Sequence, residues 1–248
     1  MIKVSLIAAA VREEFYLDFF NSLEGTSVEY EVVFAGHKKP AIREYPHLKY
    51  IETGYIKPEQ CYEIARRNAT GELVCWVADD CEFTPDLFGK AYTFWKDLND
   101  EKALLSIQTF ENGQFCNMSH HAFFGWNTKT PIMAPLGMMS REYLGRLGGF
   151  DRRYVCGQGE NDISMRVYAD GGHVVIFGDL GTRVNIDHYR KHGIKRPFAT
   201  GYNTDREVLE SSWTDGQKNC VLQRMDKFEP FEDTDILTIS QSNKGQWS

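Results

Sequence analysis

Two adjacent acidic residues, Asp79 and Asp80, follow an apolar run at residues 73–78. The run predicts a buried strand, and α/β sheets usually bind their ligands where such a strand ends. Two desolvated carboxylates side by side repel each other unless a cation or a proton lies between them. A divalent metal that carries a diphosphate would satisfy both. A solvated turn is the alternative, because Asp is common in turns.

The composition excludes several classes of protein. The chain has 248 residues, of which 42% are hydrophobic and 25% charged, as in soluble globular proteins. The net charge of −7 argues against general nucleic-acid binding and against binding to an anionic membrane, since both need a broad positive field. Six cysteines without a Cys-x-x-Cys pair disfavour a zinc knuckle and a disulfide framework. A strand predicted from the start of the chain leaves no room for a signal peptide, and no apolar run is long enough to span a membrane, so we expect a cytoplasmic protein.

The N-terminal half alternates predicted strands with predicted helices. Strands are predicted at residues 3–9, 30–35, 48–52 and 73–78, and helices at 13–23, 58–68 and 85–98. Repeated β-α-β units of this kind predict an α/β fold with a doubly wound, mainly parallel sheet that binds ligands at its carboxyl edge.

The C-terminal half continues the pattern less regularly. Strands are predicted at residues 103–110, 136–140, 173–177 and 183–186, and helices at 141–147 and 162–170. Residues 112–130 lack periodicity and predict a functional loop region. Little periodicity is evident from residue 190 onward. We predict a catalytic domain at 1–190, and a basic loop with a C-terminal extension at 191–248 that packs on this domain.

Four segments in order resemble a known family. They are VSLIAAAVR at 4–12, ARRNATGELVCWVADD at 65–80, GGFDRRYVCGQGENDISMR at 148–166 and DHYRKHG at 187–193. Together they resemble the nucleotide-sugar glycosyltransferases of the GT-A fold, most closely the family 2 type. The resemblance implies a Rossmann-like GT-A domain. It also implies transfer of a sugar from a nucleotide diphosphate donor, with a UDP-sugar expected, to the hydroxyl of a carbohydrate or another acceptor.

The donor side of the resemblance centres on the acidic pair. In the family a strand-end motif, often Asp-x-Asp, binds a divalent metal and the donor diphosphate. Ala78 stands at the first acidic position here, so Asp80 is the implied metal ligand, and Asp79 is implied to lie near the donor ribose or a water. Ala9 and Arg12 belong to the segment that usually contacts the base.

Two further positions bear on the donor. Arg67 matches the family's Arg-Asn element and is implied to hold the nucleotide or to orient the acidic motif. A surface charge that suits the helix dipole is the alternative for Arg67. Gly36 departs from the family pattern, because an Asp often meets uracil at that position.

A late histidine completes the implied donor site. His188 is implied as a second metal ligand beside Asp80. An imidazole ligand favours Mn²⁺ over Mg²⁺. The basic run at 190–196 includes Lys191 and Lys195, and we expect it to cover the diphosphate and to stabilise the charge on the leaving group.

The acceptor side depends on residues 148–162. In family members with this pattern a carboxylate takes the proton of the acceptor hydroxyl, which is otherwise a poor nucleophile. Glu160, predicted in the turn before a helix, and Asp162, predicted in its first turn, are the two candidates for this base. Glu160 is favoured as the base with Asp162 as its support, and a helix cap is the alternative for Asp162. Asp151 and Trp126 are expected to contact the acceptor. The stretch also resembles the retaining polypeptide N-acetylgalactosaminyltransferases, so the stereochemistry stays open, with inversion favoured.

Two other functions stay open. A nucleotidyltransferase that makes nucleotide sugars uses a similar sheet, but it normally has a glycine-rich phosphate loop after its first strand, and residues 8–12 contain no glycine. A non-catalytic, sugar-binding relative of the fold is the second alternative, and its main support is Ala78 in place of an acidic residue.

Overall fold

The computed structural model describes residues 1–40, 45, 47–117, 132–179, 181–186, 199–214, 223–224 and 226–233. Its helices follow a 3₁₀ turn at Glu13–Phe15. They are α1 (Tyr16–Asn21), α2 (Pro58–Asn68), α3 (Leu87–Leu98), α4 (Arg141–Arg146), α5 (Gly159–Ala169) and α6 (Ala199–Ser212).

The strands form one large sheet and two small ones. They are β1 (Val4–Ala9), β2 (Tyr30–Gly36), β3 (Leu48–Glu52), β4 (Leu73–Trp76), β5 (Cys81–Phe83), β6 (Ala103–Ile107), β7 (Thr109–Glu111), β8 (Gln114–Phe115), β9 (Gly137–Ser140), β10 (His173–Phe177), β11 (Val184–Ile186), β12 (Trp213–Thr214) and β13 (Gln223–Arg224). The large sheet has the order β10-β6-β9-β4-β1-β2-β3, and all its pairs are parallel except those of β9. A four-stranded sheet has the order β5-β11-β7-β8, and β12 pairs with β13.

The large sheet is covered by helices on both faces. Strands β1 and β4 are buried along their whole length, as expected of central strands in a parallel sheet. Side chains of α1 and α3 pack in the core on one face, and those of α2, α4 and α5 pack in the core on the other. The predicted doubly wound, mainly parallel α/β fold is therefore confirmed.

Most predicted elements lie where the sequence places them. The bounds of α2, β3 and β10 match the predicted ranges. The strand predicted at 103–110 instead divides at Gln108, so that β6 stays in the large sheet and β7 joins the small one.

Two helices differ from the prediction. Helix α5 begins at Gly159, after Gln158 in a left-handed conformation, rather than at Asp162. Glu160 therefore lies in the first turn of the helix, where a carboxylate suits the dipole, and not in the turn before it. Helix α6 was not predicted at all. Its Leu209 and the following Trp213 pack with Tyr154 in a third apolar cluster.

The domain division into 1–190 and 191–248 stays a prediction. Phe231 from the later segment packs in the same apolar cluster as side chains of α2, and the backbone N–H of Arg152 donates to the carbonyl oxygen of Glu229. Among the described helices, none combines the length and the apolar character that a membrane crossing requires.

Candidate active site

The candidate site lies at the carboxyl edge of the large sheet. Strands β1 and β4 are parallel neighbours, with Ile7 beside Trp76 in register. Because parallel neighbours end at the same edge, Arg12 after β1 and the acidic pair after β4 come together there. This edge is where the sequence predicted the donor site.

Asp79 is fully buried and surrounded by hydrogen-bond donors. Its Oδ2 accepts the backbone N–H groups of Val11 and Arg12, both at 2.8 Å. Its Oδ1 accepts Nε and Nη2 of Arg12 at 2.7 and 2.5 Å. A carboxylate has about four lone-pair positions, so these four donors use them all. Burial raises the pKa of Asp79, and Arg12 opposes that rise.

Arg12 links the two acidic residues. Its Nη1 forms an ion pair with Oδ2 of Asp80, whose side chain is buried. Burial acts to lower the pKa of Arg12, but the charges of Asp79 and Asp80 outweigh that effect and raise the pKa overall. The cation that two neighbouring carboxylates require is therefore supplied by the chain itself.

The described residues do not fit a divalent metal as they are arranged. The lone pairs of Asp79 are occupied, and Asp80 is in contact with Arg12. Within the described ranges no group of three or more His, Cys, Asp or Glu side chains is placed to hold an ion. His188, the other implied ligand, lies outside these ranges.

A pair of stacked aromatic rings, which no sequence motif indicates, follows the ends of β2 and β3. His37 and Tyr55 stack with their ring centroids 4.3 Å apart, and Tyr55 is 41% exposed. The neighbouring Gly36 approaches β1 closely: a Cβ at this position would lie 2.1 Å from the carbonyl oxygen of Ala10. An Asp therefore does not fit at position 36, which explains the departure from the family pattern.

The first turn of α5 holds Glu160, which is partly exposed, close to a buried glutamate. Glu59, in the first turn of α2, is 2% exposed, and its Oε2 has no hydrogen-bond partner among the described residues. Gly159 makes this packing possible, since a Cβ there would lie 2.5 Å from that oxygen. Nothing in the sequence indicates a functional role for Glu59, apart from its position at the start of a predicted helix.

Asp205, on the unpredicted helix α6, holds the loop that precedes α5. Its carboxylate accepts the backbone N–H groups of Val155, Cys156 and Gly157 at 2.8, 2.8 and 3.0 Å. The acidic group at the start of α5 therefore includes a residue far away in sequence. No periodicity or motif around Asp205 indicates it.

The pKa values of this acidic group are raised. Burial raises the pKa of Glu160 to about 7, with the charge of Asp205 adding to the rise. Burial raises the pKa of Glu59 well above its ordinary value, and the charges of Glu160 and Asp205 add to it. Groups held at such an energetic cost do not serve the stability of the fold, and they are typical of functional sites.

The Glu59→Gln variant should be more stable than the wild type, increasingly so as the pH rises. The folded-state pKa of Glu59 lies above the unfolded value, so the wild type loses stability as the pH rises from the unfolded value towards the folded one. The loss approaches about 1.4 kcal/mol per pH unit between the two pKa values, and Gln does not titrate. The free energies of unfolding of the variant and the wild type are measured with urea at pH 5 and pH 8. Glu207→Gln, at an exposed position, is the matched control. An equal gain at both pH values would contradict the buried-acid assignment.

Asp162 lies on α5 but is enclosed in an ion-pair network. Its Oδ2 accepts Nε of Arg166 at 2.8 Å, and its Oδ1 accepts Nε1 of Trp213 at 2.8 Å and Nη1 of Arg224 at 3.2 Å. Arg224 also donates to Asp151 at 2.7 Å. This network joins the C-terminal segment to the domain. The supporting role of Asp162 in catalysis stays a prediction.

Asp151 is buried beside two arginines. Arg153 donates to it through Nε and Nη2, at 3.0 and 2.8 Å, and Arg224 adds a third contact. Burial acts to raise the pKa of Asp151, but the hydrogen bonds and charges of these arginines lower it overall. Contact of Asp151 with an acceptor stays a prediction.

Arg67 is not brought to the acidic pair. It lies in the last turn of α2, shortly before β4 begins, whereas Asp79 and Asp80 follow the other end of that strand. Its guanidinium donates to Glu63 at 2.7 Å and to Asp233 at 2.5 Å. The predicted donor contact of Arg67 has no support from this position.

Other predicted site residues are placed differently or not described. Ala9 ends β1 at the candidate edge, beside the segment that carries Arg12. Trp126, Lys191 and Lys195 lie outside the described residues, like His188, so their roles stay predictions.

The large sheet, its helices and the position of the site define the GT-A fold, as the sequence resemblance predicted. No family model matches the chain. No curated protein matches it either. Solved structures do share the fold.

Three of these structures illustrate the likeness. The crystal structure of S. aureus TarS has a TM-score of 0.61 at 15% identity over 84% of this chain and 39% of that chain. The complex of S. aureus TarS 1–349 with UDP-GlcNAc has a TM-score of 0.58 at 16% identity over 84% and 66%. GalNAc-T7 with UDP, GalNAc and Mn²⁺ has a TM-score of 0.59 at 15% identity over 86% and 48%. The chain therefore spans less than two thirds of each of these proteins.

Proposed function

We propose that the protein is a glycosyltransferase that moves a sugar from a UDP-sugar to an acceptor hydroxyl. The observation that carries the proposal is Glu160, a carboxylate whose pKa is raised to about 7 at the carboxyl edge of a GT-A sheet. Proteins of the same fold were solved with UDP-GlcNAc, or with UDP and GalNAc, which supports the class of donor.

Tyr62 lies near both the acidic pair and Glu59. It stands one turn after Glu59 on α2, and its hydroxyl donates to the carbonyl oxygen of Val77 at 2.9 Å, just before the acidic pair. The charges of Asp79 and Glu59 both act on the Tyr62 hydroxyl and, after burial, raise its pKa. The acidic pair therefore lies on the same edge of the sheet as Glu59 and Glu160, which supports a donor site beside an acceptor site.

Glu160 is the base in the proposed reaction. At neutral pH a large fraction of this carboxylate is ionised and accepts the proton of the acceptor hydroxyl. The hydroxyl oxygen forms a bond to the anomeric carbon of the sugar, and the bond from that carbon to the diphosphate oxygen breaks. The electron pair leaves with UDP and the proton stays on Glu160. Direct displacement inverts the anomeric configuration.

We propose that Tyr55 forms the platform for the nucleobase. Its ring is 41% exposed, lies just after β3 and stacks on His37, which follows β2. Stacking of a base on an aromatic ring contributes about 1–3 kcal/mol. Both strands are parallel to β1 and β4, so a base stacked there would lie at the same edge of the sheet as the acidic pair.

Tyr55→Ala should weaken UDP binding by about tenfold, because the stacking surface is lost. Isothermal titration with UDP measures the change. Tyr55→Phe retains the ring and is the matched control, with an affinity close to that of the wild type. Equal affinities for the Ala variant and the wild type would remove Tyr55 from the donor site.

Manganese has no part in the steps above. The prediction of Mn²⁺ or Mg²⁺ on Asp80 and His188 is supported by the Mn²⁺ complex of GalNAc-T7, a protein of the same fold. The described residues do not fit the ion while Arg12 holds both carboxylates. A metal requirement therefore stays a prediction.

A panel of nucleotide sugars tests the proposed function. Release of nucleoside diphosphate is measured for each donor, with Mn²⁺ and with a chelator, beside direct titration of UDP. Turnover of a UDP-sugar supports the proposal. Sugar binding without any nucleotide binding would indicate the non-catalytic alternative, and formation of a nucleotide sugar from a nucleoside triphosphate would indicate the nucleotidyltransferase.

A further inference from the structure

We propose that Arg12 is the permanent counter-cation of Asp79 and Asp80, and that it excludes free divalent metal from this pair. The inference goes beyond the proposed function, because it concerns what the acidic edge binds whether or not sugar is transferred. It rests on three observations: the saturation of Asp79, the position of the Arg12 guanidinium and the anchoring of Arg12 itself.

Asp79 has no lone pair left for a metal. Two backbone N–H groups, of Val11 and Arg12, occupy Oδ2, and two side-chain N–H groups of Arg12 occupy Oδ1. A metal ligand needs an oxygen lone pair directed at the ion. Coordination by Asp79 would therefore require two or more of these hydrogen bonds to break in a buried site, where unsatisfied groups are costly.

The guanidinium of Arg12 occupies the position between the two carboxylates that a bridging metal ion would need. It donates to Asp79 through Nε and Nη2 and forms an ion pair with Asp80 through Nη1, so it lies between the two carboxylates. A divalent ion on Asp80 would be next to this positive charge, and like charges in a desolvated site repel strongly. The planar fork of arginine suits this bridging position better than the point charge of lysine does.

Arg12 is also held in place at both ends. Its backbone N–H is one of the donors to Asp79, and its guanidinium carbon lies 6.0 Å from the centre of the Phe15 ring. Only 18% of its side chain is exposed. A movement that freed Asp80 would leave the side chain of Asp79 without two of its donors, so the three residues behave as one unit.

A titration with Mn²⁺ alone tests the proposal, with free Mn²⁺ followed by electron paramagnetic resonance. The wild type should take up no Mn²⁺ at concentrations below about 1 mM. Arg12→Met, which leaves two carboxylates without their cation, should bind Mn²⁺ at least about tenfold more tightly. The further change Asp80→Asn in that background should remove the new site.

The proposal can still be tested if Arg12→Met fails to fold. Wild-type uptake of Mn²⁺ at micromolar concentration that is lost in Asp80→Asn would overturn the proposal without any Arg12 variant. Binding of UDP is titrated separately, in the presence of a chelator. If UDP does not bind at all, the proposed function fails, whereas the Mn²⁺ titration still decides the role of Arg12.

Discussion

Replacement of Glu160 by Gln should reduce sugar transfer by about 10²–10⁴-fold while UDP binds as in the wild type. General base catalysis by a positioned side chain contributes a factor of that size, and Gln accepts no proton at neutral pH. The side chain lies in the first turn of α5 rather than beside the acidic pair, so the donor site stays unchanged. The measurement is kcat together with the Kd of UDP, and Glu207→Gln is the control for loss of a carboxylate elsewhere.

The pH dependence of kcat is a second test of Glu160 as the base. Because the pKa of Glu160 is raised to about 7, the wild-type kcat should fall as the pH decreases through 7, when the base becomes protonated. The variant should lack this dependence. Full activity of Glu160→Gln, or a profile with its midpoint near the ordinary glutamate value, would show that another group takes the proton.

Asp162→Asn should destabilise the fold by about 3–5 kcal/mol. The carboxylate lies between Arg166 and Arg224, and removal of one partner of a buried ion pair leaves uncompensated charge. Urea unfolding followed by tryptophan fluorescence is a suitable measurement, since Trp213 also donates to Asp162. Asp97→Asn, at an exposed position of α3, is the matched control.

The two acidic residues of α5 can be separated by these variants. A fall in stability below about 1 kcal/mol for Asp162→Asn would contradict the role of its ion-pair network. If a well-folded Asp162→Asn loses transfer to the same extent as Glu160→Gln, the assignment of Glu160 as the base is wrong. If transfer per folded molecule is preserved, Asp162 acts through the fold alone.

The sequence predicts the sheet well because its signals are local. Pro58 marks the start of α2 and the residues after Asn68 mark its end, and the continuous apolar run of β4 is typical of a central strand. Helix α6 has no such signal. Its contacts to the rest of the fold include Leu209 and Val208 on a mostly polar helix, and they depend on neighbours that are far away in the chain.

The candidate site also depends on contacts between residues that are far apart in the chain. The repulsion between Asp79 and Asp80 indicates that a cation or a proton lies between them, but spacing does not reveal which one. Arg12 reaches them across 67 residues. Glu59 and Asp205 likewise meet Glu160 only after folding, since no periodic pattern connects residues in different helices.

The loop before α5 is held from outside the sheet, by the three backbone hydrogen bonds that Asp205 accepts. In the proposed enzyme the nucleotide end is built into the strands, whereas the hydroxyl-accepting end depends on a late helix. Substitutions on that helix can therefore retune the choice of acceptor over evolution while the donor chemistry is inherited unchanged.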